Sequence, residues 1–283
     1  MSSIAANGDT ARRVARPAFR PLKMRILSAL VLVPLAVAAL LAGTPAFAVL
    51  LAAAGLAMAW EWTRICSAGR FGIAGYVFAA AVLLAVAAAA WQRYELGLAI
   101  IATGAVAGYL AARPVPGTSA PWLVIGTVTV ALALVALVWL HDVAGAAIVL
   151  WLLGAVWTTD IGAFFTGRKF GGPRLAAAIS PGKTWSGLAG GMVCAGLWSV
   201  GWGWWMEAQS IVMLGLAGAI AAVVAQAGDL GVSMVKRRFG VKDASNLIPG
   251  HGGVLDRVDG FLTTAPVLAG LLLTARGGGV SWL

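Results

Sequence analysis

The sequence predicts an all-α, polytopic integral membrane protein, a bundle of about nine transmembrane helices with a cytoplasmic N-terminus. Three observations predict it. Of the 283 residues, 61% are hydrophobic and 11% charged, with a mean hydropathy of +0.92, a balance foreign to soluble domains. Apolar stretches of membrane-crossing length recur along the chain, separated by turn-formers. Lys and Arg fall almost entirely in alternate loops. Backbone polar groups in lipid must pair within their own segment, so the spans are read as helices.

Residues 1–23 are polar and Arg-rich and are expected to form a disordered basic cytoplasmic tail. Spans are then expected at 24–43, 45–62, 73–91, 95–112 and 121–140, making an N-terminal set of helices over 24–140. Four more, at 143–166, 186–206, 210–229 and 260–276, lie in a C-terminal catalytic region over 141–283. Breaks fall at turn-formers such as Gly43-Thr44-Pro45, Arg113-Pro114-Val115-Pro116-Gly117 and Gly171-Gly172-Pro173. The basic stretch before the first span and Ala46-Phe47-Ala48 resemble a signal peptide with its cleavage site. The apolar run is long for such a segment and many spans follow, so the first span is read as uncleaved.

Orientation follows from the positive-inside rule. With the N-terminus in the cytoplasm, that side receives Arg12, Arg13, Arg16, Arg20, Lys23, Arg25, Arg64, Arg70 and Arg113. It also receives Arg168, Lys169, Arg174, Lys183, Lys236, Arg237, Arg238, Lys242 and Arg257, whereas only Arg93 and Arg276 face the other way. Two polar loops, near 167–185 and 230–259, therefore face the cytoplasm. The net charge of +10 is assigned to topology and anionic headgroups, not to nucleic acid. Cys66 and Cys194 have no metal or disulfide spacing and are read as packing residues. Trp198, Trp202, Trp204 and Trp205 are read as an interfacial aromatic anchor. No internal repeat is evident, which weighs against an inverted-repeat transporter.

The chemistry concentrates in one segment. Residues 229–259 hold nine of the thirty charged residues, of both signs, a mixture that suits a metal–polyphosphate site better than an anion patch. Asp229, Ser233, Lys236 and Arg237 share one face if the eighth span continues as helix toward Gly240. Asp256 and Asp259 are i,i+3 neighbours at the start of the ninth. Two helix ends can thus offer carboxylates to Mg2+, which takes one or two carboxylates plus phosphate oxygens, while Lys and Arg hold the remaining phosphate charge. Pro249-Gly250-His251-Gly252-Gly253 is too glycine-rich for helix and can present backbone N–H groups to a ligand.

A second constellation runs from Asp160 through Gly167 to Arg174 and on to Ser180-Pro181-Gly182-Lys183-Thr184-Trp185-Ser186-Gly187. Gly182-Lys183-Thr184 matches the end of a Walker A loop, but the required glycine five positions earlier is Ala177, and no strand is read before it. What remains is a Gly/Ser/Lys phosphate-contact loop on the same face, with Asp160 as an extra carboxylate.

Ser233…Lys236-Arg237…Lys242-Asp243…Pro249-Gly250-His251-Gly252-Gly253…Asp256-Arg257…Asp259 resembles the signature of the phosphatidate cytidylyltransferase (CDP-diacylglycerol synthase) family. The segment around Asp160, Gly167 and 180–185 is similar to that family's second cytoplasmic loop. The resemblance covers about 155–275, and the first five spans match only in character. Phe164 stands where Tyr is common and Ser186 where Glu or Gln is usual, leaving the role of position 186 open. The resemblance implies a reaction of CTP with phosphatidic acid giving CDP-diacylglycerol and pyrophosphate at the bacterial inner membrane.

In that reading Asp229 and Asp256 are the leading Mg2+ ligands, with Asp160 and Asp259 as second candidates and a second cation allowed. Lys183, Lys236, Arg237, Lys242 and Arg257 hold phosphates, and Asp229, Asp256, Lys183, Lys236 and Arg237 form the expected catalytic set. Ser180, Ser233, Asp243, His251, Gly252 and Gly253 complete the substrate-binding set; His251 is a phosphate or loop-ordering contact, since a phosphate monoester needs no strong base. A homodimer is compatible with the sequence. The rivals are a CTP-dependent lipid-alcohol kinase and, in a different class, a secondary transporter, which would place its charges nearer mid-bilayer.

Overall fold

A computed structural model describes residues 22–250 and 252–276. The basic tail expected over 1–23 lies, but for its last two residues, outside the described residues, as does His251. The described chain is helical apart from one short ribbon. In order come α1 (Leu22–Leu41), α2 (Thr44–Cys66), α3 (Ile73–Ala90), α4 (Tyr94–Ala112) and α5 (Ala120–Phe170). Then follow β1 (Arg174–Ala176), β2 (Ser180–Thr184), α6 (Trp185–Trp205), α7 (Ile211–Arg238), α8 (Leu255–Val258) and α9 (Phe261–Arg276). Five of these helices, α2, α3, α4, α5 and α7, are long and apolar enough to cross a membrane, and the chain is an all-α membrane protein.

Helix α5 is the axis of the bundle, packed against α2, α3, α4, α6 and α9. It is apolar all round, and from Val130 to His141 nearly every residue is buried, as expected of a helix surrounded by others. The spans expected at 121–140 and 143–166 are joined in it without a loop. At Gly145 the backbone is non-helical, φ 80° and ψ 175°, a region that only glycine enters cheaply. The chain folds back there. Trp122, before the break, stacks edge-on against Phe239 at the end of α7, and Asp160, after it, meets Gln226 of the same helix. Both ends of α5 therefore lie at one end of the bundle.

The opposite end is closed by polar contacts between turns. The His141 ring lies 2.9 Å from Thr44 Oγ1 and 2.9 Å from the Leu40 carbonyl, and Asp142 accepts from Gln92 and Tyr94. Arg93 sits at this end. Arg64, Arg70, Lys183 and Arg237 make their contacts at the other, through Gly69, Pro116, Asp229 and Ile179.

Helix α6 buries one residue every four, Gly187, Gly191, Ala195, Ser199 and Gly203, a small-residue stripe that lets membrane helices approach closely. It packs between α5 and α7. Trp198, expected at the interface, instead lies across Gly154 of α5 and donates to the Trp151 carbonyl. A β-carbon at Gly154 would fall 2.1 Å from the Trp198 ring. Trp204 and Trp205 are exposed. Cys66 is buried and Cys194 packs on Gly162.

Two further differences concern the polar loops. The strictly all-α expectation misses the antiparallel β1–β2 ribbon, in which Arg174 pairs with Thr184 and Ala176 with Ser180. A strand does precede Gly182-Lys183-Thr184, but it is hairpin-linked, and those residues lie within β2 rather than in a loop. Helix α7 runs nine residues beyond the expected end at 229, to Arg238. At 1.5 Å per residue its 28 residues span about 42 Å, longer than a hydrocarbon core of about 30 Å, and its last turn carries Lys236, Arg237 and Arg238.

Candidate functional site

The continuation of α7 puts Gln226, Asp229 and Ser233 on successive turns of one face, as i,i+3 and i,i+4 spacing demands. The Ser233 hydroxyl donates to Asp229 Oδ1 at 3.2 Å. From the hairpin, Lys183 Nζ reaches Asp229 Oδ2 at 2.6 Å and donates to the Gln226 carbonyl at 3.4 Å. The Gln226 amide in turn lies 3.5 Å from Asp160 Oδ1. Side chains of α5, β2 and α7 thus meet around Asp229.

The hairpin is held in place at both ends. Thr184 caps α6, its Oγ1 accepting from Gly187 N at 3.1 Å. The Ser186 hydroxyl donates to the Gly171 carbonyl and sits 3.0 Å from Thr184 Oγ1, pinning the ribbon's return. Arg237 donates from Nε to the Ile179 carbonyl at 3.3 Å, tying α7 to the hairpin turn. Ser180 opens β2.

A second pair forms two turns further along α7. Lys236 Nζ lies 2.6 Å from Asp256 Oδ1, and both side chains are nearly buried, 11% and 7% exposed. The other Asp256 oxygen accepts from the Ala244 and Gly253 backbone amides at 2.9 and 3.1 Å. Asp256 therefore orders the loop between α7 and α8. That loop is closed by paired backbone bonds between Ile248 and Gly252, with Gly252 at φ 90°. Lys242 and Asp243 are exposed on it and Arg257 is exposed on α8.

Sequence reasoning put Lys236 and Arg237 with Asp229 on one face. The structure divides them: Lys236 serves Asp256, Arg237 the hairpin, and Lys183 takes Asp229. Asp259 lies between α8 and α9, its Oδ1 accepting from Gly260 N at 2.9 Å. Burial first, and then the nearby Asp229 and Asp160 carboxylates, push its carboxyl above the ordinary range. Asp160, Asp229 and Asp259 thus bear on one another electrostatically. Among the described residues no three His, Cys, Asp or Glu side chains enclose a metal position.

Two contacts from the N-terminal helices were missed. Glu61 of α2 accepts from Ser245, Val254 and Leu255, and Ser28 of α1 donates to the Pro249 carbonyl at 2.8 Å. The available signal was Glu61 itself, an ionisable residue inside an apolar span.

The model of the cytidylyltransferase family matches residues 23–275. A Pseudomonas aeruginosa protein named phosphatidate cytidylyltransferase is 36% identical over 271 residues, 91% of this chain and 99% of the relative. A Haemophilus influenzae protein of the same name is 33% identical, over 87% of this chain and 96% of the relative. A Brucella suis protein, also so named, is 44% identical over 128 residues, and that match spans 44% of the relative's length. The match over nearly the whole chain, together with full-length relatives above 30% identity, places it: the chain belongs to the cytidylyltransferase family.

Proposed function

We propose that this protein transfers the cytidylyl group of CTP to phosphatidic acid, giving CDP-diacylglycerol and pyrophosphate. The observation that carries it is the pair of lysine–aspartate contacts, Lys183–Asp229 and Lys236–Asp256, at the charged end of an apolar bundle. The relatives' shared name supports the substrate assignment. One substrate is a water-soluble polyanion and the other a lipid whose phosphate lies at the membrane surface, and this end of the bundle meets both.

A phosphatidate oxygen attacks the α-phosphorus of CTP. A new P–O bond forms, the bond from that phosphorus to the bridging oxygen of the β-phosphate breaks, and the electron pair leaves with pyrophosphate. Such transfers depend mostly on positioning and charge neutralisation. Lys183 and Lys236 already sit on carboxylates where a cation is wanted, so each can exchange its aspartate for a substrate phosphate. Arg237, Lys242 and Arg257 are exposed cations that meet the triphosphate as it enters, and Ser180, Ser233, Asp243, Gly252 and Gly253 are the further substrate contacts of this reading.

The carboxylates suit a hard divalent cation. Asp229, Asp160 and Asp259 supply oxygen only, and Asp229 is 29% exposed in its side chain, as a ligand shared with substrate must be. Asp229 and Asp256 are each engaged on both oxygens, so either would turn to a cation only with its lysine moved to phosphate. Mg2+ bound there, with a second cation allowed, would neutralise developing charge on the phosphates.

The topology proposed with this reading has nine spans, the two halves of α5 counted separately, and a cytoplasmic N-terminus. Its support is the charge distribution between loops. The site then faces the cytoplasm of the bacterial inner membrane, where CTP is. Purified protein in mixed micelles, given CTP, phosphatidate and Mg2+, tests the reaction: pyrophosphate release that requires phosphatidate is expected, whereas CDP release with a lipid alcohol would make it a kinase.

A further inference from the structure

Glu61 is the most deeply buried acidic or basic side chain among the described residues, with 0% exposure, on a mostly apolar helix that also carries Arg64 in its last turn. Neither ion pair among those residues involves it. Its carboxylate is held instead by three donors, two from the loop joining α7 to α8 and one from the first residue of α8. Oε1 accepts from Ser245 Oγ at 2.5 Å and Val254 N at 2.9 Å, and Oε2 from Leu255 N at 2.7 Å. A carboxylate taken out of water in this way is stable only while its donors stay aimed at it.

The constraint acts in both directions. Gly253 N goes to Asp256, and Val254 N and Leu255 N go to Glu61. Three successive amides are thus shared between two carboxylates, one from α8 and one from α2. A β-carbon at Gly253 would lie 2.6 Å from Glu61 Oε1 and 2.9 Å from the Ala244 side chain, so glycine is what lets the carboxylate come this close. Ser28 adds a second hold, on Pro249.

We infer that Glu61 is a positioning residue for the transfer reaction, fixing from the N-terminal helices the turn that carries Asp256 and sets the Lys236–Asp256 pair. This rests on the reaction proposed above. It gives the first spans a part in the chemistry, although they carry none of the signature.

The test compares Glu61→Gln and Glu61→Asp with the full-length wild type in detergent. Glu61→Gln keeps the volume but turns an NH2 group toward a backbone donor, and Glu61→Asp keeps both oxygens one methylene short. The expected result for Glu61→Gln is a fall in kcat/KM for CTP of about tenfold to a hundredfold per mole of folded protein, with a raised Mg2+ requirement. Hydrogen exchange should quicken at the amides of 253–255 and stay unchanged in α5 and α6. Ser245→Ala, which spares both amide bonds to Glu61, should be the milder change. Wild-type kinetics and unchanged exchange at 253–255 in Glu61→Gln would overturn the inference. So would poor folding of both Glu61 variants with wild-type KM and kcat in the folded remainder, which assigns Glu61 to folding alone. An inactive wild type would sink the reaction instead, and the exchange measurement would still decide the anchoring.

Discussion

At the scale of single residues, the basic side chains at the end of α7 are separated by burial rather than by charge. Lys236 is nearly enclosed with Asp256, while Arg238, two positions on, is exposed. Removing one partner of a buried pair leaves the other uncompensated, at a cost of about 3–5 kcal/mol. Lys236→Gln and Asp256→Asn should each lower the melting midpoint and abolish most activity, and the double variant should cost less than the sum of the two. Arg238→Gln should be nearly silent in both assays. Equal, small effects at Lys236 and Arg238 would return this cluster to a headgroup-facing role, worth about 1 kcal/mol per cation. Asp259 gives a pH dependence with a definite sign. Its folded-state value lies above the ordinary carboxylate value of about 3.9, so folding takes up a proton there. The metal-free protein should therefore lose stability as pH rises from that ordinary value through the raised one. Melting in chelator across this window should show the decline, and Asp259→Asn should flatten it.

At the scale of elements, what could be read from sequence is what local geometry dictates. Asp229 and Ser233 are four apart on a helix, so their contact follows once α7 is known to continue. The apolar runs 45–62, 73–91 and 95–112 reappear as α2, α3 and α4 within a few residues, because lipid leaves few alternatives to helix. Contacts between distant elements were not readable. Nothing in the spacing of Lys183 says that it meets Asp229, 46 residues away, and Glu61 lies 184 residues from Ser245. The β1–β2 ribbon was hidden because Ser180-Pro181-Gly182 reads as loop, whereas the fixed ends at Phe170 and Trp185 bring the strands together. The break in α5 was foreseen as a gap near 141–142 but falls at Gly145, where φ is 80°. A side chain there meets no neighbour, so Gly145→Ala should cost only backbone strain, about 1–3 kcal/mol, read as a lowered melting midpoint in detergent. An unchanged midpoint would mean that the reversal does not need the left-handed conformation.

At the scale of the whole molecule, an apolar bundle gathers its charge at one end, and the account rests on that end facing CTP. Single cysteines at Arg174 and Lys242, both exposed, in a background lacking Cys66 and Cys194, should resist impermeant thiol reagents in intact cells and react in inverted vesicles. A cysteine at Gln92 should behave in the opposite way, and labelling of Arg174 or Lys242 positions from outside would reverse the orientation. The central claim is that the α-phosphorus, not the γ-phosphorus, moves to the lipid. It is tested most directly by giving purified protein, phosphatidate and Mg2+ either α- or γ-labelled CTP and counting label in the lipid phase. The account predicts α-label in lipid and γ-label in pyrophosphate, whereas γ-label in lipid, or no label there from either nucleotide, would contradict it.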